Sequence, residues 1–221
     1  MIYFFTVYLI FLYLVSLYIL NKKKLINNNL LEHQIFINRS VPLVGGIFLL
    51  LPVFFFFSSL NKFTFFIYFN LFLLGTLSDF NYLSSAKKRF LIQIGIVVFF
   101  VFISKLEVTP TRIEVIDNLF NNSIVSYTFT AFCLLILING SNFIDGLNGL
   151  LLSYFTLILI FLLKLDLVEI LVQDNFKIIL FLILCIFLLL LNFSNKIFMG
   201  DNGAYSIGFL FGFILIKIYN I

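Results

Sequence analysis

The sequence predicts an all-α, polytopic bundle of transmembrane helices with about eight spans and both termini on the extracytoplasmic side. Three observations carry this. Apolar and aromatic residues make up 62% of the 221 residues and charged residues 11%, against about 45–50% and about 25% in a soluble domain. With a mean hydropathy of +1.16, a soluble fold would lack the polar groups to cover its surface, and disorder is excluded by the same excess of apolar material. Apolar runs also recur along the whole chain without the period-two alternation of barrel strands. Finally, basic residues divide unequally between alternate loops.

The first run, 2–20, has no basic segment before it. Its lysines, Lys22, Lys23 and Lys24, follow it, so it reads as a span rather than a cleaved signal peptide. The second run, 43–60, opens on Pro42 and Gly45-Gly46, residues tolerated where a helix starts. Further runs occupy 63–77, 90–104, 124–138, 150–163, 176–191 and 206–218. Several fall short of the roughly 20 residues that cross a bilayer core, so flanking residues complete them. Their all-round apolarity fits helices facing lipid or one another.

Eight spans place loops 21–42, 78–89, 139–149 and 192–205 on one side. That set holds eight basic and four acidic residues, a net +4, whereas the opposite set holds six of each. Basic loops stay inside, which puts the first set in the cytoplasm. A pI of about 9.0 therefore reflects membrane topology. The 14 basic residues form no patch for nucleic acid. Cys133 and Cys185 lie singly within apolar runs without a CxxC partner, which argues against zinc. No GxxxxGK[ST] occurs, so P-loop chemistry is not indicated.

The cytoplasmic set carries the unusual sequence. Asn139, Asn142, Asp145, Asn148 and three glycines crowd between two runs. Such amides can read a base or ribose edge, and the same residues also make ordinary turns. Gly200-Asp201-Asn202-Gly203 suits either a hard cation or a helix cap. Asp79 precedes Lys87, Lys88 and Arg89, a phosphate-binding pattern or a positive-inside anchor. Three carboxylates, two Asn-Gly segments and a basic run on one face suit a reaction between a soluble anion and a lipid headgroup, with Mg²⁺ on the acids and Lys or Arg on the phosphates.

At these segments the chain resembles the polyprenyl-phosphate N-acetylhexosamine-1-phosphate transferase family, glycosyltransferase family 4. Its bacterial members include undecaprenyl-phosphate GlcNAc-1-phosphate transferase and phospho-MurNAc-pentapeptide translocase. Residues 41–47 are similar to its Pro and Gly-Gly-Ile helix start, with His33 upstream. Residues 75–93 are similar to its Asp-Asp segment with following basic residues and glutamine. Residues 139–150 resemble its Asn-x-x-Asn-x-x-Asp-Gly segment, and 196–208 its Phe-x-Gly-Asp-x-Gly segment. The last two are the most specific.

The resemblance implies transfer of a sugar-1-phosphate from a UDP-sugar to a polyprenyl phosphate, releasing UMP and initiating a cell-surface glycan at the cytoplasmic face of a bacterial inner membrane. It implies Mg²⁺ at Asp201 and catalytic roles for Asp79 and Asp201. Asn139, Asn142, Asp145 and Asn148 would line the nucleotide site, and Lys88 or Arg89 would hold phosphate charge. His33, Gly45 and Gly46 are further candidates, and a homodimer is compatible with it. Two departures stand out. Ser78 replaces the first of the family's paired aspartates, and the single domain over 1–221 stops before the family's further helices and late His- and Arg-rich loop. A shortened or inactive relative, or a transporter, are the rival readings. A transporter would place ionisable groups at mid-span, whereas here they sit at run ends.

Overall fold

The computed structural model describes residues 2–22, 41–57, 60–109, 111–165, 167 and 175–220. Among these the regular elements are all helices: α1 (Ile2–Lys22), α2 (Gly45–Phe56), α3 (Lys62–Asp79), α4 (Ala86–Ser104), α5 (Glu114–Phe120), α6 (Ser123–Asp145), α7 (Leu150–Lys164), α8 (Asn175–Phe193) and α9 (Gly200–Tyr219). The eight apolar runs correspond to α1–α4 and α6–α9, and the short α5 is an addition. Three helices, Ser123–Asp145, Phe176–Phe193 and Gly200–Tyr219, are long and apolar enough to cross a membrane; Phe5–Tyr18, Gly45–Phe56 and Leu150–Lys164 are shorter apolar helices.

Helix boundaries differ from the sequence reading at the polar segments. The segment 139–149 was expected to be a loop, but α6 runs on through Asn139 and Asn142 to Asp145. Gly140 costs the helix only about 1 kcal/mol relative to alanine, and the apolar pair Phe143-Ile144 continues it to Asp145. The basic run was likewise expected in a loop. It occupies the first turn of α4 instead, because Ser85 caps that helix by accepting from the amide of Lys88 at 3.5 Å. The last run was expected to begin at 206, yet α9 begins at Gly200. His33 and most of loop 21–42 lie outside the described residues.

Helix α9 is the centre of the bundle. Every residue from Gly200 to Ile214 is buried, and α2, α3 and α6 pack around it. Lipid offers little hydrophobic drive for helix association, so close van der Waals packing at small residues carries it. A Cβ on Gly46 would come within 1.9 Å of Asn202 Oδ1 and 2.4 Å of Gly203 N. Only glycine lets α2 approach the start of α9 this closely. Farther along, Phe209 meets Phe100 of α4 edge-on with ring centroids 5.1 Å apart, and Phe211 meets Phe155 of α7 at 4.3 Å. Such aromatic pairs add about 0.5–1.5 kcal/mol each.

Cross-links bring the starts of α2, α4, α7 and α9 to the same end of the bundle as the ends of α3, α6 and α8. The amides of Gly45 and Gly46 donate to the carbonyls of Phe198 and Met199 at 2.8 and 3.1 Å, so the segment before α9 satisfies the first donors of α2. Asn192 accepts from the amide of Gly149 at 2.5 Å and donates to the carbonyl of Ile197 at 3.1 Å, tying the α6–α7 turn to the approach to α9. At the opposite end, Asn220 after α9 donates to the carbonyl of Glu107 after α4.

Candidate functional site

The site is built around the first turn of α9. The leading N–H groups of a helix have no partner within it, and here Met199, the residue before α9, gives no side-chain cap. Two carboxylates from other helices serve instead. Asp145 Oδ2, ending α6, accepts from the amide of Gly200 at 3.0 Å. Asp79, ending α3, accepts from the amides of Asp201 at 2.9 Å and Asn202 at 3.1 Å, and from the side-chain amide of Asn202 at 2.6 Å. The positive end of the α9 dipole favours both acids. Gly200 adopts φ +73, and a Cβ there would lie 2.8 Å from Asp79 Oδ2. Glycine therefore sets both the turn and the approach of the acid.

The cap reading of Asp201 does not hold, because its side chain points away from the helix start to a different set of donors. It is 7% exposed. Its Oδ2 pairs with Arg89 Nη1 at 2.8 Å and accepts from Ser78 Oγ and from Tyr205 Oη at 3.4 Å. Arg89 also donates to Ser78 Oγ. Cations in the first turn of a helix oppose its dipole, so Arg89 is stabilised by tertiary pairing and not by α4 itself. Successive helical residues turn by about 100°, and Lys88 is accordingly exposed while Arg89 reaches α9.

A small pocket of about 20 Å³ opens between these groups, lined by Asp79, Asp145, Asp201 and Asn142 with Leu43, Gly146, Phe198 and Gly200. Asn142 donates to Tyr205 Oη at 3.5 Å. Asn139 turns back to the carbonyl of Leu135 at 2.8 Å, and Asn148 donates to Asn195 at 2.6 Å; neither lines this pocket. Gly45 and Gly46 act through packing against the start of α9. Ser78, Tyr205 and Asn192 join the functional end without having been singled out as ligands of it. Ser78 was visible only as a missing aspartate, and Tyr205 is one aromatic among many.

The donor set suits a hard cation. Asp79, Asp145, Asp201 and Asn142 line one small pocket, and Arg89 pairs with Asp201 beside it. Among the described residues no group of three or more His, Cys, Asp or Glu side chains is placed to hold a metal ion by itself. A cation such as Mg²⁺, which takes one or two carboxylates and fills its shell with water and substrate phosphate, fits this incomplete set.

The sequence model of glycosyl transferase family 4 matches residues 62–219. No curated protein matches the chain. The helical architecture and the match over most of the chain define a membrane-associated protein of the glycosyl-phosphate transferase class. The chain belongs to glycosyl transferase family 4.

Proposed function

We propose that the protein transfers a sugar-1-phosphate from a UDP-sugar to a polyprenyl phosphate, giving a polyprenyl-diphospho-sugar and UMP, at the cytoplasmic face of a bacterial inner membrane. The observation that carries this reading is the pairing of Asp201 with Arg89 at 2.8 Å beside a pocket that also holds Asp79 and Asp145. A carboxylate ready for a cation and a guanidinium ready for a phosphate stand side by side, as a diphosphate with its counterion requires. The net +4 of the alternate loops to which the site segments belong in sequence supports the cytoplasmic assignment.

For UMP to be a product, an oxygen of the lipid phosphate must attack the sugar-bearing phosphorus of the donor. The bond to the bridging oxygen breaks, and UMP leaves with the electron pair. Both reactants are anions, so charge neutralisation is the main task. Arg89 is placed to take up charge on the donor phosphates. Asp201 and Asp145 would hold Mg²⁺, which when bound screens the diphosphate and stabilises the leaving UMP. Asp79 has both oxygens engaged by α9, so its part is to fix the helix that carries Asp201. Asn142, on the pocket wall, is placed to bind the nucleotide. The lipid phosphate is largely ionised at neutral pH and needs no base.

Membranes containing the protein, supplied with UDP-N-acetylhexosamine and polyprenyl phosphate, test this reading. The expected result is UMP release that depends on both the lipid and Mg²⁺, with a polyprenyl-diphospho-sugar identified by mass spectrometry. No UMP above that of empty membranes across a panel of UDP-sugars would overturn it.

A further inference from the structure

Two hydroxyls converge on a single oxygen of Asp201, and each has its proton directed there by a second neighbour. Ser78 Oγ accepts from Arg89 Nη1 and donates to Asp201 Oδ2. Tyr205 Oη accepts from Asn142 Nδ2 at 3.5 Å and donates to the same oxygen at 3.4 Å. A hydroxyl has one proton, and neither a guanidinium nor an amide nitrogen can accept it. Both protons are thereby committed to the carboxylate. With Arg89 itself at 2.8 Å, Oδ2 receives three donors, whereas among the described residues Oδ1 receives none.

We propose that Ser78 and Tyr205 are positioning residues that clamp Oδ2 of Asp201 and so present Oδ1 to a divalent cation in the adjoining pocket. Ser78 and Tyr205 are themselves 5% and 2% exposed, so water is poorly placed to replace either hydroxyl. A carboxylate held at one oxygen cannot rotate about its terminal bond, and the orientation a metal needs is fixed before it arrives. The clamp also assigns a role to the serine that stands where an acid was expected. A carboxylate at 78 could not donate to Asp201 unless protonated, whereas a hydroxyl relays the guanidinium to it. The inference rests on the metal reading given above.

The test uses the full chain in detergent, with Mn²⁺ alone as the probe and free Mn²⁺ read by electron paramagnetic resonance. Tyr205→Phe and Ser78→Ala each remove one oxygen atom and keep the remaining shape. Loss of a hydrogen-bond partner behind a metal ligand weakens metal binding by about 10- to 100-fold. Each variant is expected to raise the Mn²⁺ dissociation constant at least tenfold, and Ser78→Thr, which keeps the hydroxyl, to restore the parental value. A purely structural role would shift the thermal midpoint and leave Mn²⁺ binding by the folded fraction unchanged. Should the parent bind Mn²⁺ and both single variants stay within twofold of it, the clamp is overturned while the metal reading stands. Should the parent bind no Mn²⁺ at millimolar concentration, the metal reading and the clamp fall together.

Discussion

The carboxylate of Asp79 accepts the backbone N–H of Asp201 at 2.9 Å. The residue that ends α3 therefore caps the helix that carries the residue most directly paired with Arg89. The two acids are easily assigned similar work from sequence, since each adjoins polar residues at the edge of an apolar run. Their hydrogen bonds separate them. Asp79 faces backbone and amide donors of α9, and Asp201 faces side chains of α3, α4 and α9 itself.

That separation gives a stability prediction. Asp79→Ala leaves the amides of Asp201 and Asn202 and the Asn202 side chain without their acceptor. Buried donors stripped of a partner cost about 1–3 kcal/mol, and about 2–4 °C per kcal/mol is usual at this chain length. The thermal midpoint in detergent should fall by about 2–12 °C, and by more than for Asp201→Asn, which keeps an acceptor oxygen. Equal midpoints for Asp79→Ala and the parent would remove the anchoring role.

Packing at the start of α9 gives a second test with an internal control. Gly46→Ala drives a methyl into Asn202 and the backbone of Gly203, and overpacking of this kind costs about 1–3 kcal/mol. At Gly140 an added methyl meets no atom within 4 Å, and alanine is the better helix former by up to about 1 kcal/mol. Gly46→Ala should lower the midpoint and folded yield, and Gly140→Ala should leave them unchanged or raised. Similar behaviour of the two variants would mean that α2 does not approach α9 as described.

Sidedness is checked with cysteine reporters at exposed positions. Tyr82→Cys, on the turn after α3, and Asn148→Cys, on the turn after α6, lie at the site end, and Asn118→Cys lies on α5. In intact cells an impermeant thiol reagent should label only the last. Labelling of Tyr82→Cys and Asn148→Cys from outside would move the carboxylates off the cytoplasmic face.

The helices themselves were legible because eight apolar runs leave few alternatives, and the gathering of polar segments at one end followed from counting loops. What escaped was set by register and by long-range pairing. Lys88 and Arg89 are neighbours in sequence, and only the start of α4 at Ala86 turns one of them toward α9. Asn139 and Asn142 read as loop residues because Gly140 and the surrounding Asn and Ser are turn formers by composition, yet α6 carries Gly140 within it and ends only at Asp145. Tyr205 could not be told from the surrounding aromatics, since its partner Asn142 belongs to a different helix and its bond to Asp201 shows only once α9 is known to begin at Gly200. Asn192, which fastens two turns, resembled any other polar residue after an apolar run.

Ser78 offers a test of charge. Ser78→Asp would set a second carboxylate against Asp201 and draw Arg89 toward it, away from the substrate phosphates. Two carboxylates in one buried space repel unless a proton or metal lies between them. Turnover at saturating Mg²⁺ should fall, with the largest loss at low Mg²⁺. A rise of tenfold or more would show instead that the site lacks a carboxylate it can use.

Asp201→Asn separates metal binding from helix start most sharply. The side chain makes no cap to its own helix, so the substitution leaves the capping by Asp79 and Asp145 in place. The asparagine oxygen can still accept from Ser78, Arg89 and Tyr205, and the isosteric side chain preserves the packing around a residue only 7% exposed. What disappears is the charge, which a hard divalent cation needs more than it needs the shape. Arg89 is then left beside a neutral amide, and its charge is freed for phosphate. UMP binding measured without metal should therefore be retained or tightened, while Mg²⁺-dependent transfer falls by at least a hundredfold, about 2.7 kcal/mol at the transition state. Near-parental transfer by Asp201→Asn at limiting Mg²⁺ would shift the metal to Asp145. Weakened UMP binding without metal would show that Asp201, and not Arg89, is the group that meets the nucleotide.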